Sequence, residues 1–257
     1  MTVRTRVEQG VATVLLDRPE RRNALTEEMK IGLLEAFEGF VGDDSVRAVV
    51  LTGAPGAFCA GSDVGTMQAW TIHGGRRRLK FAQRIIRAIA DLEKPVIAAV
   101  DGPAVGVGWS LALACDFILA TPAARFCQSF SKIGLAPDGG SVLLLERMVG
   151  LLRAKELTLT ARTIDGAEAM RLGLLTELVA DRAGLEARTA ELSASLAGSA
   201  GLAMGMTKRM FAAAAGSDLE RFLEFESHVQ NELAQTQDHR EGVAAFLERR
   251  PASFGGR

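Results

Sequence analysis

Short runs of aliphatic and β-branched residues recur in the first hundred positions and predict β-strands. The runs are Val11–Leu16, Val46–Leu51 and Val96–Val100, and each is followed by Asp, Gly or Thr. None of them alternates strictly with polar residues. We therefore expect strands that are covered on both faces, as in a parallel sheet packed between helices.

Helical spacing separates these runs and dominates the second half of the chain. Thr26 is the predicted N-cap of a helix that continues to Val41. Beyond Gly139 one short strand, Thr176–Val179, is predicted among a succession of helices. The predicted helices are Leu143–Val149, Ala154–Leu159, Ala167–Leu172, Leu185–Leu196, Leu202–Ala215, Leu219–Ala234 and Gly242–Arg249.

This change of pattern predicts an α/β core over residues 1–200 and a helical C-terminal region over residues 201–257. The chain has 257 residues, of which 48% are hydrophobic, so it can bury a sizeable core and is not a disordered segment. Its 30 basic and 31 acidic residues leave a net charge of -1. A nucleic-acid-binding protein is expected to be more basic, so we predict no nucleic-acid partner.

Cysteine, histidine and hydropathy patterns exclude further classes of protein. The three cysteines contain no CxxC pair, and no two of the three histidines have metal-ligand spacing. The most apolar central stretch, Ser110–Ala120, is short and contains Asp116. Because no apolar run follows the first charged residues either, we predict a soluble cytoplasmic protein without a secretory signal, a membrane contact or a metal site.

Glycine and other small residues collect at four points where a strand hands over to a helix. The segments are Arg18–Leu25, Gly53–Val64, Asp101–Ser110 and Pro137–Ser141. Gly61 and Gly106 allow backbone N–H groups to face a ligand without a Cβ in the way. Two such groups meeting at one oxygen stabilise the negative charge of an enolate or a tetrahedral centre. The alternative is that both glycines serve tight turns only.

Two familiar motifs match imperfectly. Gly106–Gly108 begins like a dinucleotide-binding GxGxxG, but Leu111 replaces the third glycine. Gly108–Ala112 resembles the nucleophile elbow of a hydrolase, with Ser110 as nucleophile and His239 as a late histidine. An elbow follows directly on a strand, and the nearest predicted strand ends well before this segment, which disfavours a hydrolase.

Several longer segments, in order, resemble the crotonase superfamily of enoyl-CoA hydratases and isomerases. They are LDRPERRNAL, VVLTGAPGAFCAGSDV, KPVIAAVDGPAVGVGWSLALACDFILA, FSKIGLAPDGGSVLLLERMVG, AMRLGLLTELV and AFLERRPASFGGR. The resemblance covers essentially the whole chain. It implies an α/β fold, the ClpP/crotonase-like spiral of ββα units, with a C-terminal helical trimerisation region. It also implies a homotrimer or a hexamer built as a dimer of trimers, and an acyl-CoA thioester as ligand.

The resemblance also assigns site residues. It implies an oxyanion hole formed by the backbone N–H groups of Ser62 and Val107. Residues that correspond to the CoA- and substrate-binding positions of the family are Arg22, Ala24, Ala60, Gly61, Asp63, Val64 and Gly106. Arg18 and Arg22 fall where the family has basic residues near the CoA phosphates. An exposed loop arginine is the alternative, and it is more plausible for Arg18.

The positions of the two hydratase glutamates hold Ser110 and Phe130 here. Without two carboxylates there is no acid–base pair to activate water, so efficient hydration is not expected. The remaining acidic candidate is Asp138, which is either an N-cap for the helix near Ser141 or a catalytic group. Ring-1,2-epoxyphenylacetyl-CoA isomerases carry an aspartate in a matching IGLxPDxG segment, and 4-chlorobenzoyl-CoA dehalogenases carry a nucleophilic aspartate nearby.

We therefore predict an acyl-CoA isomerase in which Asp138 moves a proton and Ser62 and Val107 hold the enolate. Trp109, Phe130 and Met148 either form an apolar wall that raises the pKa of Asp138 or belong to the ordinary core. No metal or redox cofactor is expected, since coenzyme A arrives with the substrate. The alternatives are a hydratase, a thioester dehalogenase or hydrolase, and a non-catalytic acyl-CoA-binding protein.

Overall fold

The computed structural model describes residues 3–69 and 71–256, in which strands and helices are mixed up to β9 and helices alone follow. The elements are β1 (Val3–Glu8), β2 (Val11–Leu16), α1 (Glu27–Gly39), β3 (Ala48–Gly53), α2 (Ile72–Ala90), β4 (Val96–Val100), β5 (Pro103–Val105), α3 (Val107–Leu113), β6 (Phe117–Ala120), β7 (Arg125–Cys127), α4 (Ser141–Thr160), β8 (Ile164–Asp165), α5 (Gly166–Arg171), β9 (Glu177–Leu178), α6 (Arg182–Ala197), α7 (Gly201–Ala214), α8 (Leu219–Leu233) and α9 (Gln237–Glu248). Short 3₁₀ helices cover Pro19–Arg21, Val64–Ala69 and Ser129–Ile133.

Within the described residues, the main sheet has the strand order β1-β2-β3-β4-β6-β9. β1 pairs antiparallel with β2, and the other neighbours are parallel. One row of the sheet runs through Val14, Leu51, Ala98 and Ile118, all of which are buried. A second sheet has the order β5-β7-β8. The apolar runs thus form the centre of a parallel sheet, as their lack of polar alternation predicts.

Two predicted strands, Val11–Leu16 and Val96–Val100, have the predicted bounds, and the third is shifted by two residues to Ala48–Gly53. Strands β1 and β5 to β8 are not predicted by the sequence pattern. β1 carries mostly exposed, charged residues, and the others have two to four residues, too few to show a period. The short strand β5, which the pattern does not predict, ends at Val105, two residues before the GxSxG-like segment, and Ser110 of that segment lies within α3.

The helices agree better with their predicted positions. Thr26 caps α1, and its Oγ1 accepts a hydrogen bond from the N–H of Met29. The predicted helices Leu143–Val149 and Ala154–Leu159 both lie in α4, which is interrupted at Gly150, where φ is 75° and ψ is 163°. The helices predicted after residue 200 correspond to α7, α8 and α9.

Polar contacts tie helix α7 and the C-terminal tail to residues beside the main sheet. Lys208 on α7 donates to the Asp116 carboxylate at 2.7 Å and to the carbonyl of Lys94 at 2.9 Å. The carboxylate of Asp238, at the start of α9, accepts from two N–H groups of the C-terminal tail, and Arg47 donates to the tail carbonyl of Phe254. The boundary between residues 1–200 and 201–257 stays a prediction. Within the described residues, every helix is too short or too polar to cross a membrane.

Candidate active site

Three loops that follow neighbouring parallel strands meet at the carboxyl-terminal end of these strands in the main sheet. They run over residues 17–25, 54–64 and 101–106, after β2, β3 and β4, and the last of them contains the short strand β5. In open α/β sheets, ligands bind at this end of the strands. Backbone hydrogen bonds join the first two loops: Ala60 N–H to Arg22 O at 3.0 Å, Leu25 N–H to Gly61 O at 2.8 Å, and Asp63 N–H to Leu25 O at 3.0 Å. Predicted site residues from separate segments therefore lie together.

The side chain of Asn23 holds the first two loops in place. It is 0% exposed, and its Nδ2 donates to the carbonyls of Ala54 at 3.0 Å and Ala57 at 2.8 Å. Its Oδ1 accepts from the N–H of Arg18 at 2.9 Å. The backbone of Asn23 has φ of 56°, a conformation that asparagine tolerates better than most residues. This role of Asn23 has no signal in the sequence, because an asparagine that joins two loops cannot be told from an ordinary turn asparagine.

The side chain of Arg18 makes its hydrogen bonds to neighbouring groups of the protein. Its Nη1 donates to Asp63 Oδ2 at 2.8 Å and to the carbonyl of Ala24 at 3.1 Å, and its side chain is 18% exposed. This hydrogen bond from Arg18 lowers the pKa of the Asp63 carboxyl. The reading of Arg18 as an exposed loop arginine is therefore wrong. Arg22 is exposed, as is Val64, which begins the 3₁₀ helix after Asp63.

The N–H groups of Ser62 and Val107 have no acceptor among the described residues. The bridge between Leu25 and Ser62 uses the carbonyl of Gly61 and the N–H of Asp63, so it does not engage the N–H of Ser62. Earlier in the same segment, Cys59 pairs with Ala104 of β5. Val107 is the first residue of α3, where an N–H has no partner within the helix.

The two segments that carry these N–H groups touch. Gly61 has φ of 97°, and a Cβ on it would lie 2.9 Å from the carbonyl oxygen of Val105. Only glycine allows this approach. Gly106 follows directly, with φ of 55°, and its N–H donates to the carbonyl of Cys127. Two free N–H groups on touching segments can bind one carbonyl oxygen.

Asp138 lies in the turn before α4 and does not cap that helix with its side chain. The N-cap position belongs to Gly140, and the carbonyl of Asp138 accepts from Ser141 Oγ at 3.0 Å and from Ser110 Oγ at 3.1 Å. Oδ1 of its carboxyl group is buried and has no hydrogen-bond partner among the described residues. The N-cap interpretation of Asp138 is therefore wrong.

Burial raises the pKa of the Asp138 carboxyl above its usual range, because the charged form is poorly solvated there. The positive charge of Lys30 opposes this shift. Lys30 itself is buried on α1, where its Nζ pairs with Glu27 Oε1 at 2.8 Å. The effect of Lys30 on Asp138 cannot be predicted from the sequence, because the two residues are far apart along the chain.

Ser110 has no nucleophile geometry. It is fully buried, and its hydroxyl lies within hydrogen-bond distance of the carbonyls of Gly106 and Asp138, not of a histidine. This arrangement disfavours a serine hydrolase. His239 is exposed in the first turn of α9.

The three apolar residues considered for a wall separate into different environments. The Phe130 ring packs over Gly106, 3.6 Å from the position of a Cβ there. Trp109 belongs to the core, where its ring centroid lies 5.5 Å from that of Phe126. Met148 is 41% exposed on α4. Of the three, Phe130 therefore contacts a predicted site residue.

Comparison with known proteins identifies the family. The model of the enoyl-CoA hydratase/isomerase family matches residues 6–257. The chain belongs to this family. The resemblance to the crotonase superfamily and the predicted α/β fold are thereby confirmed.

Individual relatives carry different names. A probable enoyl-CoA hydratase of Rhodobacter capsulatus is 40% identical over 256 residues, which cover 100% of this chain and 98% of the relative. The 1,2-epoxyphenylacetyl-CoA isomerase of Escherichia coli is 36% identical over 255 residues, covering 98% and 97%. The crystal structure of an enoyl-CoA hydratase from Polaromonas sp. JS666 is similar with a TM-score of 0.93 at 31% identity, covering 98% of this chain and 99% of that one. Family membership alone therefore does not decide between hydratase and isomerase.

We expect Asn23→Gly to lower the free energy of unfolding by about 2–6 kcal/mol, because two buried carbonyls lose their donor at about 1–3 kcal/mol each. Asn23→Ala should cost about 1 kcal/mol more, since alanine is strained at positive φ. Urea unfolding of both variants and the wild type measures these differences. A loss well below 1 kcal/mol in Asn23→Gly would show that other donors replace the amide.

We expect Lys30→Met to raise the pKa of Asp138 further, because the carboxylate loses a nearby positive charge. The carboxyl group should then stay protonated to higher pH than in the wild type. Carboxyl ¹³C NMR against pH measures this titration, with Asp138→Asn to assign the signal. Lys30→Arg keeps the charge and serves as the control. Equal titration of the Met and Arg variants would contradict the expected role of Lys30.

Proposed function

We propose that the protein is an acyl-CoA isomerase, which moves a proton between two carbons of an unsaturated or ring-bearing acyl-CoA thioester. The observation that carries the proposal is the carboxyl group of Asp138, with a buried oxygen that lacks a hydrogen-bond partner among the described residues. Its backbone is bonded to α3, the helix that begins with the free N–H of Val107.

In the proposed mechanism, the thioester oxygen accepts hydrogen bonds from the N–H groups of Ser62 and Val107. These bonds strengthen as the oxygen becomes negative, so the adjacent C–H group becomes more acidic. Asp138 removes that proton and the enolate forms. Asp138 then returns the proton to another carbon, which completes the isomerisation with atoms and charge balanced.

The environment of Asp138 suits a group that both accepts and returns a proton. Burial raises its pKa, which makes the carboxylate a stronger base than an exposed aspartate. Lys30 limits this shift, so that the carboxylate form stays available. The base is active in its ionised form, and the proposed activity therefore falls as the pH drops through the raised pKa of Asp138.

The CoA portion is proposed to lie along the joined loops that carry Ala24, Ala60, Gly61, Asp63 and Val64, with Gly106 next to the thioester. Arg22 is exposed and supplies a guanidinium group for a phosphate. Arg18 contributes indirectly, since its ion pair holds Asp63 in this surface. The reaction requires no metal and no redox cofactor.

Hydration is the second candidate, because the Rhodobacter relative carries a hydratase name. Addition of water needs one group to activate water and another to protonate carbon, and the family places glutamates at these positions. The corresponding Ser110 is buried and bonded to carbonyls, and Phe130 is a hydrocarbon ring. These residues favour isomerisation. A third candidate is a dehalogenase-type reaction, in which the same carboxylate of Asp138 attacks the substrate as a nucleophile.

We expect Asp138→Asn to lower kcat by about a hundredfold or more while acyl-CoA binding stays within a few fold, because the amide keeps the shape and loses the base. Isomerase kinetics and calorimetric binding measure the two effects. Asp181→Asn is the matched control, because Asp181 caps α6 and asparagine caps equally well. Unchanged specific activity of Asp138→Asn, with a lowered melting temperature, would refute the mechanism.

We expect 3-enoyl-CoA isomerisation to be faster than crotonyl-CoA hydration in one preparation. Loss of a general acid–base group costs roughly 10²–10⁴ in rate, and both hydratase glutamates are replaced. Parallel assays of the two substrates measure the ratio. Faster hydration that survives Asp138→Asn would mean that the catalytic carboxylates lie elsewhere.

We also propose a homotrimer, or a dimer of trimers. Helices α7 to α9 expose large apolar side chains, among them Phe211 at 76% and Phe246 at 83%, whereas Phe222 and Phe225 are half-buried. Sedimentation at micromolar concentration should give the mass of three or six chains of 27.3 kDa. A clean monomer would refute the assembly.

A further inference from the structure

We propose that Ser110 is a positioning residue, whose hydroxyl fixes the Asp138 segment to helix α3 at the distance that catalysis requires. The inference rests on the proposed function and adds a residue to it. Its basis is a buried cross-link between parts of the chain that are 28 residues apart.

The Ser110 hydroxyl reaches two carbonyl groups. It lies 3.3 Å from Gly106 O, one turn earlier on the helix, and 3.1 Å from Asp138 O. The carbonyl of Gly106 already accepts from the N–H of Ser110, at 3.1 Å. The Gly106 carbonyl therefore has a donor without the Ser110 hydroxyl, and this hydroxyl is available to donate to the carbonyl of Asp138.

The two segments are packed as closely as their atoms permit. Gly139 has φ of 62°, and a Cβ on it would lie 2.7 Å from the Cβ of Ser110 and 2.9 Å from its Oγ. A side chain at either position larger than the present one would push Asp138 away from α3. Position 110 thus needs a residue that is small and carries a donor, which serine satisfies.

Helix α3 is held in the same way on its other side. A Cβ on Gly108 would lie 2.3 Å from the carbonyl oxygen of Cys59, in the segment that leads to Ser62. Val107 and Ser110 are one turn apart on this helix. One rigid turn therefore connects the free N–H of Val107, the segment of Ser62 and the backbone of Asp138.

The test is Ser110→Ala, which removes the hydroxyl and leaves room. We expect kcat to fall roughly tenfold to a hundredfold, because a small displacement of a reacting group costs about that much. KM should stay within about twofold, since the CoA-binding loops are unchanged. A kcat within about threefold of the wild type would overturn the inference.

The matched control is Ser141→Ala, which removes another donor to the same carbonyl, at 3.0 Å, but from the helix that follows Asp138 in the chain. It leaves the link to α3 in place and should lower kcat by no more than about threefold. Equal losses in the two variants would mean that the carbonyl merely needs donors, which would overturn the positioning role.

A double-mutant cycle separates positioning from a general structural effect. In the Asp138→Asn background, adding Ser110→Ala should change the residual rate by less than about twofold, because the group it positions has lost its function. A full loss in that background would overturn the inference. Ser110→Ala and the wild type are compared at equal concentrations of folded protein, measured by circular dichroism, so that a loss of folding is not counted as a loss of kcat.

These measurements also separate the inference from the proposed function. A large loss in Asp138→Asn without a loss in Ser110→Ala rejects the role of Ser110 and leaves the role of Asp138 intact. Full activity of Asp138→Asn rejects the proposed function, and the role of Ser110 falls with it.

Discussion

Helix α3 packs against two backbone segments at distances that leave no room for a β-carbon, and the arrangement of the candidate site depends on these contacts. At Gly108 the helix meets the carbonyl of Cys59, and at Ser110 it meets Gly139. The first contact places the Ser62 segment and the second places Asp138. Because close-packed backbone cannot slide by small amounts, the free N–H groups and the carboxyl group keep a defined spacing.

The same packing surrounds Asp138, whose carboxyl group is in an unusual state. The Asp138 carbonyl is hydrogen-bonded to α3, and one oxygen of its carboxyl group is buried with no hydrogen-bond partner among the described residues. An unpaired buried polar group lowers stability, and proteins tolerate this mainly at functional sites. Lys30 offsets part of the burial through its charge. The arrangement thus exchanges some stability for a more basic carboxylate.

A single carboxylate and two glutamates make different demands on the fold. A hydratase needs room for water and two acidic side chains, whereas proton transfer between carbons needs one group that stays close to the substrate. In this chain, Ser110 packs against Gly139 and the Phe130 ring lies over Gly106, at the two positions where the family resemblance implies hydratase glutamates. The proposed isomerisation therefore rests on backbone packing as well as on residue identity.

The sequence by itself determined the central strands, the Thr26 cap, the glycine-rich turns and the family, because these depend on neighbours in the chain or on motif order. Tertiary structure alone decided that β5 runs directly into Gly106, that Arg18 pairs with Asp63, and that Asn23 joins two loops. It likewise decided that Lys30 acts on Asp138 and that Ser110 bonds to its carbonyl. Such contacts join residues tens to more than a hundred positions apart, and no local spacing encodes them. They form only when the parallel strands bring the loops that follow them together at the carboxyl-terminal end of the strands.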